Sequence, residues 1–481
     1  MRKRSKLIVC AIGGIAGLIA IVTIALLLIV DVNAYRPQLE TAAARALGHE
    51  VRITGALGFD LFPGLQLTLE DVQIGASGAE IATAREVRLG LALLPLLRKH
   101  VRVETLVIQQ PSILVIRGGD GSFNFDRDED HSSPVTEAQH SALELSEVAV
   151  AEGTLNYLDE QSGEGFVARD CSLKIAPLRI ARGDSTGLIR ALSFSAGLAC
   201  REIQGKDLAV ADVKVSATGQ QGVIDLQPVT FKVFSGQGSG SIHADFTSTV
   251  PHYRVRYALP QFQIAEFFKS FSPQKIAEGQ MSFSANLSMQ GKTFSELRQT
   301  LAGQVSLRGG NLTIHGHDLD DELSRFTSSQ NFNLVDVGAF FFAGPFGMVI
   351  SKAYNFARLA QGPGGSSTIR MLVSEWDIAQ GIARAQDVAM ATDKNRVALQ
   401  GELDLINEQF NHLTVALLTP EGCVKVRQTV RGSFQHPVVE SPSTIKVLSG
   451  PFLKLYNMGR ALFPGGECDV FYAGSILPPT D

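Results

Sequence analysis

The chain begins with one unbroken apolar run and then changes period. Leu7 to Val30 reads LIVCAIGGIAGLIAIVTIALLLIV, with no charge. At 1.5 Å per residue this helix is about 36 Å long, enough to cross a hydrocarbon core of about 30 Å. Helical pairing also satisfies its backbone inside lipid. Arg2, Lys3, Arg4 and Lys6 precede it, whereas Arg36 and Arg45 beyond it are offset by Asp31 and Glu40. Basic residues gather on the cytoplasmic side, so the pattern predicts a single-pass anchor with its N-terminus inside. A cleavable signal would need a shorter apolar core, although Val32-Asn33-Ala34 is a passable cleavage site.

Past the anchor, Pro37 suits a first helical turn and Gly48 suits the residue after the last, which predicts a helix over Arg36 to Leu47. The period then becomes two. Leu65, Leu67 and Leu69 alternate with polar residues, and Val72 and Ile74 follow Asp71. Val87 to Leu93, Val101 to Ile108, and Ile113 with Val115 continue the alternation. These are strands with one apolar face. In Met281 to Met289, Met281, Phe283, Ala285, Leu287 and Met289 take one face, and Ser282, Ser284, Asn286 and Ser288 the other. Thr293-Phe294-Ser295-Glu296 is a capping box opening a short helix. Further helices are predicted over Ala265–Phe271, Asp318–Phe326, Gly347–Leu359 and Ser443–Ala461. Strands are expected again from Ile369 to Val430. One pattern occurs twice, VAVAEGTLNY from Val148 and VSLRGGNLTI from Val305. It reads as strand, glycine-centred turn or bulge, strand.

This gives a mainly β chain with few short helices, divided as 1–34 (cytoplasmic tip and anchor), 35–125, a polar linker 126–142, 143–262 and 263–481. The net charge is −5 with both signs mixed, so no nucleic-acid footprint is present. Of five cysteines, Cys10 lies in the anchor. The others fall into two near pairs, Cys171 with Cys200 and Cys423 with Cys468. An oxidising compartment would permit disulfides, and spacing alone does not choose among three connectivities. Free buried thiols are an equal reading for the first pair.

Several ordered segments resemble the AsmA family of envelope proteins. After the anchor come Asp31-x-Asn33-x-Tyr35-Arg36-Pro37, Ile53-x-Gly55, Leu61-Phe62-Pro63-Gly64-Leu65 and Leu69-x-Asp71-Val72-x-Ile74-Gly75. Pro111-x-Ile113 leads to Asp120-Gly121-Ser122-Phe123-Asn124-Phe125, where family members usually carry Trp at the position of Phe125. Farther on, Phe294-x-Glu296-Leu297, Leu301-x-Gly303, Gly310-x-Leu312 and Gly316-x-Asp318-Leu319 continue the likeness. The resemblance implies a bacterial inner-membrane protein, single-pass, with its bulk in the periplasm. It implies an elongated, curved, antiparallel-rich sheet forming a groove, and a role in outer-membrane biogenesis or lipid homeostasis. Membrane phospholipids would be its partners, alongside other envelope proteins. Alternation alone leaves open whether a second sheet or lipid covers the apolar faces. On the family likeness the five residues Met281 to Met289 become candidate lipid-facing positions, in a non-enzymatic carrier or conduit. A scaffold that assists outer-membrane protein assembly is the alternative.

Chemistry is sparse. His315-Gly316-His317-Asp318 with Asp320, Asp321 and Glu322 resembles a metal cluster and would serve a hydrolase. It lacks the converging third and fourth ligands that zinc requires, and it also suits a helix start, where acids meet the positive dipole end. Gly236-x-Gly238-x-Gly240 leads into a strand where a dinucleotide site needs a helix, so a hairpin turn is expected. No catalytic, metal or cofactor-binding residues are expected, and Cys423 with Cys468 are a candidate disulfide. Phe340 to Phe346 is an apolar junction, read as a core turn or a plug against lipid.

Overall fold

The computed structural model describes residues 35–60, 64–76, 79–92, 95, 102–126, 143–181, 188–206, 208–270, 273–329, 339–342, 364–440, 443–444 and 470–479. The anchor at 7–30, the polar stretch 127–142, the helix expected over 347–359 and Cys468 all lie outside these residues. Among the described residues no helix is long and apolar enough to cross a membrane. The chain is mainly β and forms two compact units, Met1–Gly222 and Val223–Asp481.

The first unit opens with helix α1 (Arg36–Leu47), closed by Gly48 in the left-handed conformation at φ 78°. Its strands are β1 (Glu50–Ile53), β2 (Leu57–Asp60), β3 (Leu65–Ala76), β4 (Ala79–Leu91), β5 (Val103–Gln109), β6 (Ser112–Arg117), β7 (Leu143–Leu145), β8 (Glu147–Asp159), β9 (Glu164–Ile180), β10 (Leu192–Gly205) and β11 (Ala209–Gln220). A four-residue helix, α2 (Leu188–Ala191), precedes β10. Neighbouring strands pair antiparallel, with one exception. β5 and β6 lie parallel to β8. A parallel neighbour needs a long return connection, and the polar stretch supplies it between Arg117 and Leu143.

Several long strands of this unit change the parity of their apolar positions once. In β3 they are Leu65, Leu67 and Leu69, then Val72 and Ile74. In β9 they are Ile175, Leu173 and Cys171, then Ala168 and Phe166. At the change stands a polar residue with positive φ: Asp71, Glu152, Asp170 and Asp212 within β3, β8, β9 and β11, and Gln110 between β5 and β6. Leu67, Leu69 and Val72 nevertheless belong to one buried cluster with Leu39, Ala43 and Ala44 of α1. The positive-φ residue therefore keeps both halves of a strand on the same side. Aligned across strands, these residues form a crease lined by polar contacts. The Arg85 Nη1 donates to Gln110 at 3.3 Å, Gln110 Nε2 donates to Glu152 at 2.7 Å, and Arg201 pairs with Asp170 at 2.5 Å. Such bulges bend a strand and increase its twist.

Beside the crease, Cys171 and Cys200 are direct cross-strand partners on β9 and β10 and form a disulfide. Of the two readings of this pair, the bonded one holds. The bond links positions 29 residues apart, for which loop-closure entropy gives about 3–4 kcal/mol. Replacing both cysteines by serine in the full chain is expected to lower hydrogen-exchange protection of β9 and β10 by that free energy, with the second unit's strand Ser366–Ala379 unaffected. Equal protection in both proteins would count against this estimate. Cys423 is also disulfide-bonded, and its partner is not among the described residues.

The second unit is an antiparallel meander of β12 (Val223–Val233), β13 (Gly236–Asp245), β14 (His252–Gln263), β15 (Ala277–Gln290), β16 (Ala302–His315), β17 (Ser366–Ala379), β18 (Ile382–Ala391), β19 (Arg396–Asp404), β20 (Gln409–Leu418) and β21 (Val424–Ser433). Two short strands, β22 (Pro437–Val439) and β23 (Ser443–Thr444), finish its edge. The helix expected from Ser443 is thus corrected at its first two residues, which pair with β21. Helices α3 (Ile264–Lys269), α4 (Phe294–Gln299) and α5 (Leu319–Ser329) sit in the connections. At α4, Thr293 Oγ1 accepts from the Glu296 backbone N–H and Glu296 accepts from the Lys292 N–H, so the capping box forms.

The glycine triplet is also corrected. Gly236, Gly238 and Gly240 lie inside β13, and the turn is made by Phe234 and Ser235, both at positive φ. The glycines leave room for rings from β14. A Cβ at Gly236 would meet Phe262, and one at Gly238 or Gly240 would overlap Tyr257. The twice-occurring pattern resolves as a bulge within one strand, at Glu152 in β8 and Asn311 in β16.

Candidate functional site

In the first unit the strand register aligns apolar side chains into rows that cross the sheet. One row is Leu69, Val87, Ile108, Val150, Leu173, Leu198 and Val215. A parallel row runs Leu67, Leu89, Leu106, Val148, Ile175, Ala196 and Ala217. Seven strands at about 4.8 Å make a surface roughly 29 Å across. Helix α1 covers its beginning, where Leu67 and Leu69 are buried. From Ile108 to Val215 every member of the first row is only half-buried. The opposite face carries charge, with Lys174 against Glu147 at 3.0 Å and Glu144 between Arg102 and Arg179.

The second unit has a similar face. Tyr253, Val255, Tyr257 and Leu259 of β14 stand opposite Met289, Leu287, Ala285 and Phe283 of β15, and Val305 and Leu307 of β16 continue the rows. Burial falls along β15. Met281 is 1 % exposed and Phe283 8 %, while Ala285, Leu287 and Met289 are half-buried. The deeper end is closed by α3, whose Phe267 joins Phe234 and Phe262 in one aromatic cluster. Ser282, Ser284, Asn286 and Ser288 are exposed on the other face. The Tyr257 hydroxyl is buried without a partner among the described residues, and desolvation raises its pKa well above the usual phenol value. Its ring stacks on Phe231 at 4.8 Å.

The remaining candidates serve local structure. His315 Nε2 lies 3.0 Å from Glu278, whose carboxyl is held below its usual range by Lys275 and then His315. His317 Nδ1 turns to Glu322 at 3.0 Å. Asp318 accepts from the Asp321 N–H, so the acids open α5 as a helix start. Among the described residues no three metal-ligating side chains converge. Phe341 and Phe342 are buried, and Phe342 packs on Trp376 at 5.5 Å; the rest of that junction, 343–346, lies outside the described residues.

The motifs near the start of the chain meet in space. Arg36 of α1 donates to the carbonyls of Ile53 and Gly55, each at 2.8 Å, and Glu40 accepts from the Ile53 N–H. Any Cβ at Gly55 would strike Glu70. Tyr35-Arg36-Pro37 and Ile53-x-Gly55 are thus two halves of one clamp that fixes α1 on the sheet. In Asp120 to Phe125, Asp120 closes a turn onto Ser122, Asn124 bonds Leu114 and Ile116, and Phe123 stacks on Phe125 at 5.1 Å. Sequence reasoning missed the crease and the full register of the rows. The parity change after Leu69 was its visible signal.

No curated protein and no solved structure matches the chain. Residues 1–188 and 192–386 match the model of the AsmA family, a span that includes the clamp, the crease and the apolar rows through β17. On that match, which takes in more than half of its length, the chain belongs to the AsmA family.

Proposed function

We propose that this protein is a membrane-anchored, non-enzymatic carrier or conduit for phospholipid acyl chains in the bacterial cell envelope. Residues 7–30 hold it in the inner membrane with the N-terminus cytoplasmic. The body lies in the periplasm and acts in outer-membrane biogenesis. The observation that carries this reading is the half-open apolar row from Ile108 to Val215, repeated at Ala285 to Met289. A core sealed by protein would bury such residues fully. Each CH₂ moved from water onto an apolar surface gains about 0.8 kcal/mol, so an acyl chain gains from every contact along the row. Family membership and the disulfides, which belong to oxidising compartments, support the location.

The test is photocrosslinking in membranes. A photoreactive residue at Leu198, on the apolar face, is expected to capture labelled phospholipid, and one at Ser172, on the charged face, is not. Protein adducts alone at Leu198 would replace the carrier with the scaffold reading. Equal lipid capture at both positions would remove the role of the face.

A further inference from the structure

A cavity of about 560 Å³ lies in the second unit, at one end of the meander. It is bounded by the β18–β19 hairpin tip at Asp393 and Lys394, the β20–β21 tip at Thr419 and Pro420, and a strap that passes through Pro478 and Pro479. Four cations reach it: Arg370, Lys394, Arg396 and Lys425. The single carboxylate in its lining, Asp393, is already paired with Arg370 at 2.6 Å. Three positive charges are left over, and no ion pair engages Lys394, Arg396 or Lys425 among the described residues.

Arg396 is the informative member. It is 6 % exposed, so its charge is almost out of water. Its terminal nitrogens donate to the carbonyls of Ile476, Thr419 and Pro420 at 3.0, 3.1 and 2.9 Å. The guanidinium also sits 5.7 Å from the Tyr472 ring centre. Its Nε is buried with no acceptor among the described residues. Carbonyl dipoles and a ring face orient this cation but bring no counter-charge. Buried charges in proteins are ordinarily paired, because an unpaired one costs several kcal/mol. The missing partner is an anion. Two flexible lysine ammoniums beside an arginine fork suit the tetrahedral oxygens of phosphate.

We propose that this cavity binds a phosphate group, either on a lipid headgroup or on a free phosphate compound. The site stands apart from the apolar face and does not depend on acyl chains lying there. The test uses the full chain in a phosphorus-free detergent at constant ionic strength. Inorganic phosphate should show saturable ³¹P line broadening, weakened at least tenfold in K394E/K425E. Both lysines are exposed, Lys394 in a hairpin tip and Lys425 near the start of β21, so that variant should keep the parent's thermal midpoint. Leu287→Asp should bind phosphate like the parent, which separates this site from the carrier reading. In a second arm, vesicles of phosphatidic acid in phosphatidylcholine are compared with phosphatidylcholine alone. Capture by the former, competed by phosphate, assigns a headgroup. Phosphate binding without vesicle capture assigns a free compound. Absence of saturable broadening, or equal binding by K394E/K425E, overturns the proposal.

Discussion

Leu173→Asp and Leu287→Asp, each made in the full chain, are expected to cut phospholipid crosslinking within their own unit at least tenfold while leaving protein abundance near normal. Both side chains are half-buried on an apolar face. In the uncovered state a carboxylate there keeps contact with water, so folding bears little of its cost. Once an acyl chain lies across the row, that carboxylate loses its water, and an unpaired charge in apolar surroundings costs several kcal/mol. A penalty of about 1.4 kcal/mol already gives the tenfold effect. The comparison is with Phe283→Asp, whose position is 8 % exposed. That variant should lose abundance as well as lipid. If Leu173→Asp and Leu287→Asp also lose abundance in proportion, these faces are core and the carrier reading fails.

Trp376→Ala is expected to destabilise the second unit by about 3–5 kcal/mol, the range for removing a buried large aromatic. Trp376 is 1 % exposed, packs against Phe342, and its indole N–H donates to Ser374 Oγ at 2.8 Å. Truncation removes the ring contacts and also leaves the buried Ser374 hydroxyl without that donor. Hydrogen exchange across β16 to β18 should report the loss, with protection in β9 and β10 unchanged. Phe294→Ala provides the scale. Its ring is 75 % exposed, so a change within about 0.5 kcal/mol is expected. A Trp376→Ala effect of that small size would show that the site is not a packing centre.

Much of this was legible because its cause is local. The helix over Arg36 to Leu47 is announced by Pro37 and Gly48, and the capping box at Thr293 by its own spacing. The alternation in Met281 to Met289 is visible without any partner strand. What alternation does not carry is cover. Met281 and Leu287 belong to one pattern, yet only the first lies under α3, whose position depends on contacts distant in sequence. The glycine triplet misled for the same reason. Its space is filled by Tyr257 and Phe262, which come from another strand. The cation cavity was equally hidden, since Arg370, Arg396 and Lys425 sit on β17, β19 and β21 and meet only after four successive strand pairings have formed. The Cys171–Cys200 bond needed the β9–β10 register, and spacing left several pairings open.

The crease also makes strand length a counted quantity. On either side of Asp170 the apolar positions of β9 have opposite parity, and the positive-φ residue reconciles them. A strand shortened by one residue at that level would present one arm's oily side chains outward and its lysines and serines inward. Removal of two residues from an arm would preserve the facing and only shift the end. Length variation among relatives should therefore collect at hairpin tips. Chimeras joined at those tips should keep a working face, whereas chimeras joined within a strand must preserve the odd or even count of each arm.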